Sequence, residues 1–118
     1  MSIYRDGLGE PHFIITDVGQ RRYEEVNNVP FRLLSGANFG WKMFEGLEPY
    51  NCGPTLCPNG GDPPTADVPP GTSEPALTWP VYVYPHTEGC AVIGGPVIRD
   101  PALGELTGRW ITGDFCVK

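Results

Sequence analysis

"TDVGQRRYEEVNNV", Thr16 to Val29, is the stretch on which the fold turns. A short apolar run, Phe13 to Thr16, leads into it and ends at a Gly turn signal, which marks a strand. "RYEEVNNV" then alternates, with Tyr23, Glu25 and Asn27 on one face and Glu24 and Val26 on the other, and reads as a second strand. The six residues Asp17 to Arg22 between them suit a hairpin with a longer loop. "SGANFG", Ser35 to Gly40, is turn chemistry, with two glycines and an Asn that tolerates positive φ. Gln20 to Val29, ten residues, is the longest run without Gly or Pro. A helical domain needs several longer runs, so an all-β chain with long loops is expected.

Composition agrees. The 118 residues set a ceiling of one domain. Sixteen Gly and 14 Pro bring the chain near low-complexity composition, yet three Trp, five Tyr and five Phe call for a packed core. The net charge of −6 and eight scattered basic residues argue against nucleic-acid binding and against a polybasic membrane surface. No apolar run approaches the ~20 residues of a membrane span. "MSIYRDGLGE" lacks the apolar segment of a signal peptide.

Cys52, Cys57, Cys90 and Cys116 form no C-x-x-C pair, and His12 and His86 lie far from Cys52 and Cys57, so zinc is not expected. Two disulfides fit better and imply an oxidising compartment, periplasmic or secreted. Four cysteines allow three connectivities. Cys52–Cys57, closing a short loop, with Cys90–Cys116, joining two strands, is favoured.

From Pro49 to Pro80 the chain changes character: 13 of 32 residues are Gly or Pro, which reads as a long surface loop. Strand patterns resume at "PVYVYPH", "CAVIGGPVIRD" and "GRWITGDFC", and their spacing predicts a three-stranded meander. No complete strand is expected between Met1 and Gly9, before Phe13. Asp17 and Asp114 each sit at a strand end near a Gly, as turn caps do. His86 could serve as a base, but no partner fixes that role, and a rim or loop position is expected. Trp41, Trp79 and Trp110 are expected to pack between sheets.

Four segments, in order, resemble the glucose/sorbosone dehydrogenase family: "DVGQRRYEEVN" (17–27), "GANFGWKMFEG" (36–46), "PVYVYPHTEGCAVIGG" (80–95) and "LTGRWITGDFC" (106–116). Hedgehog-interacting-protein-like proteins share these segments. The resemblance implies about two blades of a six-bladed β-propeller over residues 1–118, with the loop at 49–80 as an insert. In the enzyme members such a propeller holds pyrroloquinoline quinone and calcium and oxidises aldoses at C1. By this resemblance the carbonyls of Gly19 and Gln20 would hold the calcium beneath the quinone. Glu25, through its side chain, and Phe39, through its carbonyl, would hold a second calcium. Hard oxygen donors suit calcium. The plainer readings are that Gly19 only makes a turn and that Glu25 is a solvated carboxylate paired with Arg21 or Arg22.

The chain departs from the family at several points. The family's general-base histidine lies on an earlier blade, and neither His12 nor His86 falls in a matching motif. Ile93 replaces a threonine, and Pro96 replaces an aromatic and suggests an edge or bulge. The isolated chain is therefore not expected to turn over substrate, and the missing blades are its expected partners. A non-catalytic propeller binding a protein or glycan, through the loop Asn51 to Trp79, is the alternative function. A third reading is a small autonomous β-domain stapled by two disulfides.

Overall fold

The structure is a computed structural model that describes residues 1–41, 44–50 and 77–116. It is built mostly of antiparallel strands. These are β1 (Ser2–Arg5), β2 (Pro11–Asp17), β3 (Tyr23–Pro30), β4 (Phe44–Glu45), β5 (Glu48–Pro49), β6 (Tyr82–Pro85), β7 (Val92–Val97) and β8 (Trp110–Asp114). A single helical turn, α1 (Phe31–Leu34), and a 3₁₀ segment, Pro101–Leu106, interrupt them.

The main sheet has the order β1-β2-β3-β6. The expected hairpin is its centre: β2 and β3 pair from His12↔Pro30 to Asp17↔Glu25. β3 ends at Pro30, whose ring removes the next ladder donor. Against expectation, the N-terminal segment does form a strand. β1 pairs with β2 from Ser2↔Ile14 to Arg5↔Pro11. The turn between them is closed by Asp6 Oδ1, which accepts from the amides of Leu8 (2.9 Å) and Glu10 (2.8 Å).

The predicted meander does not form. β6 pairs with β3, from Tyr23↔Pro85 to Val26↔Tyr82, while β7 and β8 make a separate hairpin. The reason lies at the start of β7. The Val92 amide is given to Glu24 Oε2 at 2.7 Å, not to a strand beside β6. Alternation in a sequence identifies a strand but not its neighbour. Pro96 falls in a register irregularity between Gly94 and Val97, as its missing donor requires.

Other elements pack on both faces of the main sheet. On one, Ile14 and Val26 pack with Val92, and Tyr4, Tyr84, Val97 and Trp110 surround them. Trp110 Nε1 donates to the Gly95 carbonyl at 2.8 Å. On the other, the β4–β5 hairpin lies against β3, and Phe31 of α1 stacks on Phe13 at 5.9 Å between centroids. Trp41 and Trp79 are about half exposed; Trp79 meets Phe44 edge-on at 4.9 Å and Trp41 meets Tyr50 at 5.1 Å. Cys90 and Cys116 are bonded, as expected, with Cα atoms 5.4 Å apart. Cys52 and Cys57 lie outside the described residues.

The buried set among the described residues is unusual: Ile14, Val26, Val29, Phe44 and Val92 share it with Glu24, Glu25, Asn27 and Glu45. Such a core depends on how its polar atoms are paired. Glu24 has no exposed surface. Its Oε1 lies 2.7 Å from His86 Nε2 and its Oε2 accepts from Val92. Loss of one partner in a buried pair leaves the other desolvated and alone. Glu24→Ala is therefore expected to destabilise the fold by roughly 3 kcal/mol in urea unfolding. Glu48→Ala, on an exposed side chain, should stay within about 0.5 kcal/mol. Replacing Cys90 and Cys116 together by Ala releases a cross-link of sequence separation 26. It should cost roughly 3 kcal/mol in the same measurement.

Candidate functional site

The loop from β2 to β3 folds back on β4 and the "GANFGW" corner, leaving a cleft of about 360 Å³. Asp17, Val18, Gly19, Gln20, Glu25, Phe39, Trp41, Phe44 and Glu45 line it. All four residues expected to hold calcium or cofactor, Gly19, Gln20, Glu25 and Phe39, meet here. They come from the hairpin loop, β3 and the corner after α1.

Each wall has a local cause. Gly19 is required by close approach: a Cβ there would sit 1.6 Å from the Tyr23 carbonyl oxygen and 2.8 Å from Glu45 Oε1. The loop can therefore lie flat on β4. Asn38 shapes the corner, its Oδ1 accepting from the Gly40 amide at 3.0 Å. Gly46 adopts φ +64° and passes close to Val83 and Tyr23, which brings its amide to Glu25 Oε1 at 2.5 Å.

Glu25 is not the solvated carboxylate that one reading of the sequence allowed; it is 7% exposed. Burial raises its pKa above the usual carboxylate range, against the lowering effect of the Gly46 amide. Asn27, next on the same face, is fully buried, and its side-chain amide makes no hydrogen bond of good geometry among the described residues.

Glu45 escaped the sequence reading. It is 1% exposed. Its Oε1 accepts from the amides of Arg21 (2.6 Å), Arg22 (2.7 Å) and Tyr23 (3.3 Å). Burial pushes its pKa up, but these three donors outweigh it and hold the carboxyl below its ordinary value. Its Oε2 has no hydrogen-bond partner among the described residues. Nothing in "MFEG" signals this role, because the amides that fix Glu45 lie more than twenty residues earlier.

His86 stands on the opposite face of the sheet. It follows β6, as a loop position predicts, but it has the partner that the sequence did not disclose, Glu24. The pair ties β3 to the end of β6, and the His86 amide reinforces it by donating to the Arg22 carbonyl at 2.7 Å. Asp17 is exposed at the cleft rim. Asp114 is the turn cap expected: Oδ1 accepts from Cys90 (2.9 Å) and Cys116 (2.8 Å), and Oδ2 from Ala91 (3.2 Å) and the Tyr84 hydroxyl (2.5 Å). Asp6, Glu10 and His12 form a further cluster, in which Asp6 serves its turn, Glu10 pairs with Arg32 at 2.8 Å and His12 Nδ1 meets Asn28 Oδ1 at 3.0 Å.

No protein-family model and no solved structure matches the chain. Two plant proteins do, at a distance. HIPL1 protein of Arabidopsis thaliana is 28% identical over 118 residues, and the match covers 93% of this chain. HIPL2 protein of the same plant is 33% identical over 110 residues, covering 88%. The chain spans only 15% and 14% of the lengths of these relatives.

The Tyr84 hydroxyl, followed by the backbone amides, pulls the Asp114 pKa from 3.8 down to about 2. A depressed carboxylate stabilises the fold above its unfolded pKa and loses that contribution as pH falls through its folded one. Thermal stability should therefore drop between about pH 4 and pH 2. Asp114→Asn should show a shallower drop over that window in a pH series of melting curves.

Proposed function

We propose that this chain is part of a six-bladed β-propeller of the glucose/sorbosone dehydrogenase type, and that its cleft holds calcium, one ion on the Gly19 and Gln20 carbonyls and a second on Glu25 and the Phe39 carbonyl. The observation that carries the reading is the convergence of Gly19, Gln20, Glu25 and Phe39 on one 360 Å³ cleft from three separate segments. Their chemistry suits the ion: a buried carboxylate, main-chain oxygens and an unpaired buried oxygen of Glu45 are hard donors. The four-stranded antiparallel sheet, with other elements packed on both faces, is what a propeller blade between two neighbours requires.

In the whole protein, pyrroloquinoline quinone and an aldose would complete the site. When bound, the quinone would supply a two-electron acceptor for the C1 hydride, and a base outside this chain would take the hydroxyl proton. This chain's share is positional: Gly19 lets the loop approach, Gly19 and Gln20 offer carbonyls, and Glu25 and Phe39 form the adjoining wall. The Cys90–Cys116 disulfide supports a secreted or periplasmic location.

One observation favours the second reading, a non-catalytic propeller that binds a glycan. Trp41 is 58% exposed at the cleft, offering a ring face on which a sugar could stack. Similarity to the HIPL proteins is compatible with either.

Calcium at a hundredfold excess over its Kd should stabilise the purified protein by roughly 2.7 kcal/mol, read as a rise in Tm that a chelator reverses. If calcium leaves Tm unmoved, the calcium reading fails. With calcium and the quinone, the whole protein should reduce a dye when given an aldose. Glycan binding without dye reduction would establish the second reading in its place.

A further inference from the structure

The resemblance that points to this cleft assigns no role to Glu45, yet Glu45 is the most constrained carboxylate in it. The side chain is 1% exposed, and one oxygen is fixed by three consecutive amides, Arg21 and Arg22 of the β2–β3 loop and Tyr23 at the start of β3. That clamp fixes the carboxylate plane and therefore the position of Oε2, which lacks a hydrogen-bond partner among the described residues. A buried carboxylate oxygen without a donor is costly, and native structures seldom leave one without a reason.

The surroundings make the cost larger. Glu25 lines the same cleft at 7% exposure, and Asp17 lines its rim. Three carboxylates line one space, and like charges so placed disfavour one another's ionised forms. The Arg22 guanidinium, 5.6 Å from the Tyr23 ring centroid, offsets part of this through its charge on Glu45, but it gives Oε2 no hydrogen bond. A lysine-like side chain or a water would satisfy one oxygen, whereas a divalent ion satisfies several hard oxygens at once.

We propose that Glu45 Oε2 is a direct ligand of a calcium-sized divalent cation in this cleft, beside Glu25. The inference rests on the reading of the cleft as a calcium site and adds to it a pre-oriented ligand from a fourth segment, β4. Its geometry explains why one residue does two tasks. Oε1 anchors the loop that carries Gly19 and Gln20, and Oε2 meets the ion, so binding the ion and ordering the loop are a single event. Smaller magnesium, which demands an octahedral shell and keeps its waters, should bind more weakly than calcium.

The test uses the purified protein, calcium and terbium. Terbium replaces calcium, and Trp41 on the cleft wall should sensitise its luminescence. Calorimetric calcium titration and terbium luminescence are read for the parent, Glu45→Gln and Glu25→Gln. Glu45→Gln keeps an oxygen for the three amides, while an NH2 group, which cannot ligate a cation, replaces Oε2 and the negative charge is lost. The expected result is calcium affinity at least about tenfold lower in both variants, with the calcium-free Tm of Glu45→Gln equal to or above the parent's. If Glu25→Gln loses affinity while Glu45→Gln binds as the parent does, the role of Glu45 is overturned and the calcium site stands. If the parent shows no saturable calcium or terbium binding, both are overturned. If Glu45→Gln loses Tm equally with and without calcium while its affinity is kept, Glu45 is only a loop clamp. Should that variant not fold, Glu45→Asp retracts the ligand by one methylene, and unchanged calcium affinity in it would overturn the inference.

Discussion

The architecture depends on two adjacent acids in one strand. Glu24 and Glu25 sit in β3, and strand geometry sends them to opposite faces. Glu24 reaches His86 and the Val92 amide, and so fixes the second hairpin on one side. Glu25 reaches the Gly46 amide, and so fixes the β4–β5 hairpin on the other. An apolar pair at these positions would bury more oil but would specify no partner. Carboxylates demand particular donors, and each donor lies on a different element. A small apolar core, of which Ile14, Val26 and Val92 are the centre, is thereby given a defined set of neighbours.

The cleft is a by-product of that arrangement. Once Glu25 holds Gly46, the preceding Glu45 is brought under the β2–β3 loop, and the amides of Arg21, Arg22 and Tyr23 close on it. Gly19 then lies where no side chain would fit. The result is a cleft lined by Asp17, Glu25 and Glu45, with Gly19 on its loop wall. The opposite face is different in kind, because there the acids meet full complements of donors: Asp114 takes four and Glu24 two. The first face is suited to recruiting something from outside, and the second to holding the fold.

Much of this was legible in the residues. Alternation in "RYEEVNNV" gave the strand and the face of each side chain, and Gly-rich punctuation placed the hairpin and the corner. Pro96 announced its bulge, and the favoured Cys90–Cys116 pairing formed. Pairing order was not legible. Nothing local in "PVYVYPH" says that it joins β3 and not β7, since that choice is made by Glu24 and Val92, 68 residues apart. Burial of charge was also hidden: Glu24, Glu25 and Glu45 look like surface residues until both faces of β3 are covered. The cleft was half visible, its loop and corner from motif and its Glu45 wall only from packing.

The corner after α1 has one more property. Tyr50, just before the Pro- and Gly-rich insert, rests on Trp41, and Leu77, just after it, makes a parallel bridge to Asn38, with the Thr78 amide on the Asn38 carbonyl at 2.7 Å. Departure and return are thus both fastened to the same few residues. The entropy of closing such a loop grows only logarithmically, by about 0.6 kcal/mol for each doubling of length. The corner therefore acts as a socket. The length and composition of the chain between Tyr50 and Leu77 are thereby uncoupled from β3 and the cleft, because both of its ends are held at the corner.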